Sequence, residues 1–477
     1  MKSKLYRAIA KSVSGKVLTY IIQFLALAIY ARMFTPHEFG IIASIQVFVT
    51  FFKMLSNVGI GPAIINEDNF TSSKRDGIFT FTLVLGIFIA FAFYFFSYFL
   101  NSFYGGYEYQ DVAFFVSVSI LFSTFNIVPN TALIKDSKFF VLALIDVVVE
   151  FICFFFVYLL YINELGLLSL ASRPAVQSMF RFLLCSINSS NTTIGRANIG
   201  RELYHIKSIM KFSLYQFGFN FINYFSRNLD NILIAKYFGM SVVGTYDKAY
   251  QLMRYPLLMT TSAMAPAIQP VLTKFRGDRE FIIMEHNKLT SRLLALSLPI
   301  SVFMFLYSKE IILILFGEQW IVANDLIKIL SFMIPIQAVL STSGAFFQVM
   351  NSPRYLFLSG IAAAVVTVSA IFFGLFLNDV KYIAISLVVA FLINFVQIYH
   401  VLFKYSFNSS TKPFYICIFK VLALMSAPNV IFILIKIYVL ANFDYSPEID
   451  LIVGMALGLV ILTFFIRPLK RLLTYSF

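Results

Sequence analysis

From Phe139 to Ile162 the chain is apolar or aromatic at every position except Asp146 and Glu150. Runs of this kind, about 20 residues or longer, recur along the whole sequence. Such a segment has no polar face to turn to water, so it must lie in lipid, where a backbone has to satisfy its own N–H and C=O groups. Their unbroken apolarity excludes the alternating pattern of a membrane barrel. The fold class is therefore all-α, a polytopic membrane protein. Composition agrees, since 60% hydrophobic against 13% charged residues leaves too little polar surface to cover a soluble globule.

The runs fall at 15–34, 40–64, 77–100, 112–134, 139–162, 165–187, 206–238, 243–271, 289–312, 321–350, 354–377, 381–404, 413–441 and 448–467, about 14 transmembrane helices in all. They are not independent. Moving back about 204 positions carries Ala235, Lys236, Phe238 and Gly244 onto Ala31, Arg32, Phe34 and Gly40, and Pro266, Ala267 and Ile268 onto Pro62, Ala63 and Ile64. An internal duplication predicts an N-terminal lobe over 1–187 (helices 1–6), a cytoplasmic linker over 188–205 and a C-terminal lobe over 206–404 (helices 7–12). An extra helix pair and a cytoplasmic tail follow over 405–477.

The net charge of +14 would suit a nucleic-acid partner if it were gathered in one patch. Instead the basic residues are spread through short loops, which is a topological pattern, and nucleic acid is not expected. Placing both termini in the cytoplasm puts about 24 Lys and Arg on inner loops and tails, among them Lys74, Arg75, Lys135, Lys138, Arg196, Arg276 and Arg279. Outer loops then keep little more than Lys309 and Lys381. Cys153, Cys185 and Cys417 all fall inside spans and read as small apolar fillers. Trp320, at the outer start of the tenth span, reads as an interfacial anchor.

Charges inside the spans carry the functional signal, because each costs about 2.5–3.5 kcal/mol at a helix centre without a partner or a wet cavity. The basic set is Lys53, Arg173, Arg181, Arg227, Lys248 and Arg254, on helices that the duplication places where the lobes meet; a basic cavity there would receive an anionic substrate. The acidic set is Asp146, Glu150, Asp230 and Asp247. Asp146 and Glu150 lie one turn apart, so two close carboxylates would tend to hold a proton, and this set forms the candidates for proton or ion coupling. Pairing with Arg173 and Arg181 is the structural alternative. Arg227 and Asp230, three apart, are positioned to neutralise each other. There is no Gly-rich phosphate loop, no paired-Cys spacing and no His-Glu-x-x-His, so no catalytic residues, metal site or cofactor are expected.

Three groups of residues carry a resemblance: Ala31-Arg32-x-Phe34 through Glu38-Phe39-Gly40, Arg227-Asn228-x-Asp230-Asn231 with Gly244-x-Tyr246, and Phe316-Gly317-Glu318-Gln319-Trp320. In order and at this spacing the chain resembles the Wzx-type polysaccharide flippases, most closely the branch with the colanic acid and teichuronic acid exporters, in the multidrug/oligosaccharidyl-lipid/polysaccharide transporter superfamily. The resemblance implies alternating access between two lobes and translocation of an undecaprenyl-pyrophosphate-linked oligosaccharide across a bacterial cytoplasmic membrane. It implies membrane lipid as a partner and, downstream, a glycan polymerase and a chain-length regulator. Two rivals are a drug or cation antiporter of the same superfamily, which would favour an acidic cavity, and a membrane glycan polymerase or ligase. The latter would need a large external loop that the sequence lacks.

Overall fold

The computed structural model describes residues 2–475 apart from 58–59, 68–69, 108, 202–223, 262–267, 269–271 and 444. All regular structure among the described residues is helical, as a backbone in hydrocarbon requires. Eight of these helices are long and apolar enough to cross a membrane, or ten spans if each of two bent pairs counts as one. The protein is a multi-pass membrane protein, although the full count of fourteen is not reached. The shortfall is informative. The first expected span offers only a shorter apolar stretch, Leu18–Met33, and the seventh begins inside 202–223, outside the described residues. The sixth and eighth are the helices that carry Arg173, Arg181, Asp247, Lys248 and Arg254.

The chain divides into two compact units, Met1–Gly244 and Thr245–Phe477. The first contains α1 (Lys2–Met33), α2 (Pro36–Asn57), α3 (Ile60–Asn66), α4 (Ser72–Tyr104), α5 (Tyr109–Phe125), α6 (Ile127–Lys135), α7 (Phe139–Ile162), α8 (Leu167–Ser189), α9 (224–238) and the first turn of α10 (Met240–Thr261). Thr35 and Glu38 start α2 with a capping box: the Glu38 N–H donates to Thr35 Oγ1 at 3.3 Å and the Thr35 N–H to Glu38 Oε2 at 2.8 Å. α5 lies between α4 and α8, and α7 packs on α8 and α1. Gly40 of α2 and Gly244 of α10, equivalent positions of the repeat, meet inside this unit. A Cβ on Gly40 would stand 1.8 Å from the Met240 carbonyl oxygen, and one on Gly244 would stand 2.0 Å from that of Pro36. Only glycine lets the two backbones come so close.

The segment after α8 is fastened to the same unit. Arg75 donates to Ile194 O at 2.7 Å, the Asn198 N–H to Asp76 Oδ1 at 2.8 Å and the Gly200 N–H to Thr80 Oγ1 at 2.8 Å. Asp136 accepts from the Thr193 N–H at 2.8 Å, and Lys138 donates to Asn191 O. The basic start of α4 at 74–75 and the basic residues at 135–138 thus share one end of the unit with residues 191–200.

The second unit contains α11 (Arg279–Leu306), α12 (Ser308–Leu315), α13 (Ala323–Ser331), α14 (Met333–Val349), α15 (Pro353–Phe376), α16 (Val380–Val401), α17 (Lys412–Tyr438) and α18 (Pro447–Tyr475). α16 continues through a π turn at Leu402–Ser406. α11 is its centre, packed by α13, α14 and α17. His286 of α11 is fully buried, boxed by the rings of Phe346, Tyr399, Phe403, Phe407 and Phe414 at centroid distances of 4.7–5.7 Å. Each unit carries one bent span: α5–α6 turns by 43° and α13–α14 by 51°. Pro129 and Pro335 follow the two breaks and lie 206 residues apart, 335 less 129, close to the repeat offset. Each lacks the N–H that would have bonded back across the break. α18 is the least covered span, with 11% of its apolar window buried. Trp320 departs from expectation: it is fully buried against Phe316, with ring centroids 5.9 Å apart, and is no interfacial anchor.

Candidate functional site

α7 and α8 are joined by the short turn at 163–166, so they run antiparallel and their ions meet in pairs. Arg173 Nη2 lies 2.6 Å from Glu150 Oε1, and Arg181 Nη1 lies 2.9 Å from Asp146 Oδ1. The two carboxylates that shared a face in the sequence each have an arginine of their own. The guanidinium of Arg173 also sits 5.0 Å from the centroid of the Tyr30 ring, so α1 joins the arrangement through a cation–π contact. Cys153 completes it by donating weakly to Arg173 O at 3.8 Å.

Lys53 of α2 stands apart. Its ammonium donates to Ser119 Oγ of α5 at 2.8 Å and forms no ion pair among the described residues. On α9, Arg227 and Asp230 do not neutralise each other. Arg227 is exposed and has no ion pair among the described residues, while Asp230 turns inward, is buried and accepts from the Asn231 N–H at 2.9 Å. Tyr224 and Phe225 at the start of α9 dock it on α2, through a hydrogen bond to Val47 O at 2.8 Å and a ring contact with Phe51 at 5.2 Å. Lys236, near the end of α9, reaches Phe103 O at the end of α4 and lies 4.7 Å over the Phe103 ring. That is the snorkelling its position suggests.

Asp247, Lys248 and Arg254 lie on the part of α10 that belongs to the second unit. Asp247 Oδ2 accepts from Gln251 Nε2 at 2.6 Å, and Lys248 Nζ, almost fully buried, is 3.2 Å from Gln251 Oε1 and 3.9 Å from Asp247 Oδ2. Gln251 joins this pair by bonding both partners. Arg254 is exposed and forms no ion pair among the described residues. The candidate site residues are therefore of two sorts: cations held by carboxylates (Arg173, Arg181, Lys248) and cations without one (Lys53, Arg227, Arg254). No group of His, Cys, Asp and Glu among the described residues could hold a metal ion.

An apolar groove of about 280 Å³, unmarked by any motif, lies in the second unit between α11, α17 and α18. Ile300, Phe303, Phe432, Met455 and Leu459 line it, with Asn429 as its one polar side chain. Prolines at 299 and 428 fall within its two flanking helices, the only prior hint of irregular packing there.

Polysaccharide biosynthesis proteins form a family whose pattern matches residues 29–325, most of the length that holds these ions. The chain belongs to that family. Among curated relatives, the family member described here is 23% identical to the succinoglycan biosynthesis transport protein ExoT of Rhizobium meliloti (strain 1021), over 98% of this chain and 93% of that one. It is 21% identical to the teichuronic acid biosynthesis protein TuaB of Bacillus subtilis (strain 168), over 70% and 68%. It is also 22% identical to an uncharacterized membrane protein in the cps region of Klebsiella pneumoniae, over 99% and 97%. Its fold is that of the lipid II flippase MurJ in an inward closed conformation, with a TM-score of 0.75 at 15% identity, covering 96% of this chain and 99% of that one. A multidrug resistance MATE family transporter of the MOP superfamily, inward-facing, shares it less fully, with a TM-score of 0.60 at 15% identity over 82% and 98%.

Proposed function

We propose that this polysaccharide biosynthesis protein is a flippase that moves an undecaprenyl-pyrophosphate-linked oligosaccharide across a bacterial cytoplasmic membrane by alternating access. It works as a transporter and not as an enzyme. The observation that carries the reading is that Lys53, Arg227 and Arg254, on segments read from the sequence as spans, have no carboxylate at ion-pair distance among the described residues. A cation left without a counter-ion in such a place is matched by an anionic ligand, and a pyrophosphate supplies several charged acceptors at once. The apolar groove of the second unit suits a long hydrocarbon chain, which leaves lipid for protein at little cost. A cationic-drug antiporter would call for unpaired carboxylates instead, and Asp146 and Glu150 are engaged with arginines.

In this reading the lobes are the two halves of the duplication, 1–187 and 206–404, with 405–477 as an added helix pair. Both termini face the cytoplasm, as does the basic end of the first unit, and a glycan polymerase and a chain-length regulator act on the delivered repeat. Arg173 and Arg181 hold α7 to α8 through Glu150 and Asp146, and the coupling carboxylates are drawn from the set Asp146, Glu150, Asp230 and Asp247. The test is flipping of a labelled undecaprenyl-pyrophosphate oligosaccharide in proteoliposomes. Losing one charge-assisted bond of about 1.5–3 kcal/mol slows transport about tenfold or more, so Lys53→Ala, Arg227→Ala and Arg254→Ala should each do so at wild-type reconstitution levels. Wild-type rates from all three would sink the assignment.

A further inference from the structure

A polar cluster in the second unit takes no part in this transport reading. Tyr307, at the joint of α11 and α12, is fully buried with its ring stacked 4.8 Å from that of Phe303. The Lys436 ammonium of α17 lies 4.3 Å from the Tyr307 ring centroid and bonds Asp450 Oδ2 on α18. A Cβ on Gly454, one turn beyond Asp450, would stand 2.3 Å from the Tyr307 hydroxyl. Glycine at that position therefore lets the phenol reach the surface of α18, and a hydroxyl so placed is within the electrostatic reach of both Asp450 and Glu310.

Three buried atoms of this cluster have no hydrogen-bond partner among the described residues: Tyr307 Oη, Glu310 Oε2 and Asp450 Oδ1. A folded interior rarely leaves one such atom unmet, and three on neighbouring residues call for a ligand. The charges point the same way, because the cluster holds two carboxylates, Glu310 and Asp450, and one ammonium, while Lys309, the nearest other cation in sequence, is exposed. A monovalent cation closes that balance, whereas a divalent one would overshoot it. We propose that Tyr307, Glu310 and Asp450 form a binding site for one small monovalent cation, entered from the side of the membrane on which α17 and α18 are joined. Its occupant fastens α18, the least covered span, to α11 and α12. Sodium and hydronium share the required chemistry. The titratable groups at the site are Tyr307 and Glu310 from the α11–α12 joint, Lys436 from α17 and Asp450 from α18.

The experiment is thermal unfolding of the purified full chain in detergent, with sodium chloride exchanged for choline chloride at constant ionic strength, at alkaline and at mildly acidic pH. A ligand at one hundred times its dissociation constant should raise the midpoint by about 3 °C. A rise with sodium at alkaline pH identifies sodium; a rise on acidification in choline, to which sodium adds nothing, identifies hydronium. In Tyr307→Phe, which keeps the ring stack, and in Glu310→Gln, the shift should vanish. The site is refuted if neither cation moves the wild-type midpoint, or if the shift survives in Tyr307→Phe. Should Glu310→Gln fail to fold, Tyr307→Phe and equilibrium binding of radiolabelled sodium to the wild type decide alone. None of these readouts involves a glycan, so they stand or fall apart from the flippase reading.

Discussion

Replacing Gly244 by Ala sets two effects of opposite sign against each other. In the interior of a helix, Ala is favoured over Gly by about 1 kcal/mol, so propensity alone predicts a more stable protein. The contact predicts the reverse. A Cβ at position 244 lies 2.0 Å from Pro36 O and 2.8 Å from Gly40 N, both backbone atoms. Real Cβ contacts essentially never fall under 3.0 Å, so the first turns of α2 and α10 must part by at least 1.0 Å, 3.0 less 2.0. No side-chain rotation can relieve this. Overpacking of that order costs about 1–3 kcal/mol or more, which outweighs the propensity gain. Gly40→Ala should be worse, since its Cβ stands 1.8 Å from Met240 O. Gly344 in α14 supplies the control, because the nearest atom to its Cβ is the Leu356 Cδ1 at 4.0 Å. Gly344→Ala should leave stability unchanged or raise it by up to about 1 kcal/mol. The assay is the midpoint of thermal unfolding in detergent, followed by size-exclusion fluorescence, where 1 kcal/mol corresponds to about 1 °C in a chain of this length. A Gly244→Ala midpoint at or above wild type, or a Gly344→Ala midpoint that falls as far as that of Gly244→Ala, would refute the close approach of the two helices.

Three further outcomes follow from the same geometry. Glu150→Ala and Arg173→Ala should each cost about 3 kcal/mol by stranding a charge; the double variant should cost clearly less than their sum in thermal unfolding, and simple additivity would mean that the pair is not coupled. Asp136→Ala removes the acceptor for Thr193 and should loosen residues 191–200, so that trypsin cuts inverted membrane vesicles faster at the exposed Arg196; an unchanged cutting rate would show that the other bonds suffice. Reporter fusions at Ser189, Gly277 and Phe477 should behave as cytoplasmic, and those at Gly105, Gly317 and Tyr445 as external; a single inversion would break the proposed topology.

The helical class was legible because it is written in local patterns. Apolar runs mark spans whatever surrounds them, and the repeat offset reappears in the bent spans that Pro129 and Pro335 follow. Partnerships between ions were harder to read. Asp146 and Glu150 are one turn apart on α7, yet Arg173 and Arg181, which bond them, are more than two turns apart on α8. Arg227 and Asp230 show the opposite failure: spacing put them within reach, but Asp230 bonds its own backbone neighbour and Arg227 faces outward. Sequence spacing limits which ions can meet on one helix, and side-chain direction decides which of them do.

The reason lies in the solvent. In a water-soluble bundle a helix announces its buried face by being apolar there and polar elsewhere. A membrane helix is apolar toward its neighbours and toward lipid alike, so rotation about its axis leaves almost no trace in the sequence. Phe88, Phe91 and Phe95 of α4 face outward while Phe93 is fully buried, and nothing in their identity separates them. What fixes the rotation is the rare residue that cannot face lipid: a glycine that admits another backbone, as at Gly40, Gly244 and Gly454, or a polar group that needs a partner, as at Lys53 and Asp450. Tyr307, Lys436 and Asp450 come from three helices distributed over more than a hundred residues, and no spacing rule could have joined them. The same few residues that orient the helices are thus the ones available to bind a ligand. A substitution at one of them changes packing and chemistry together.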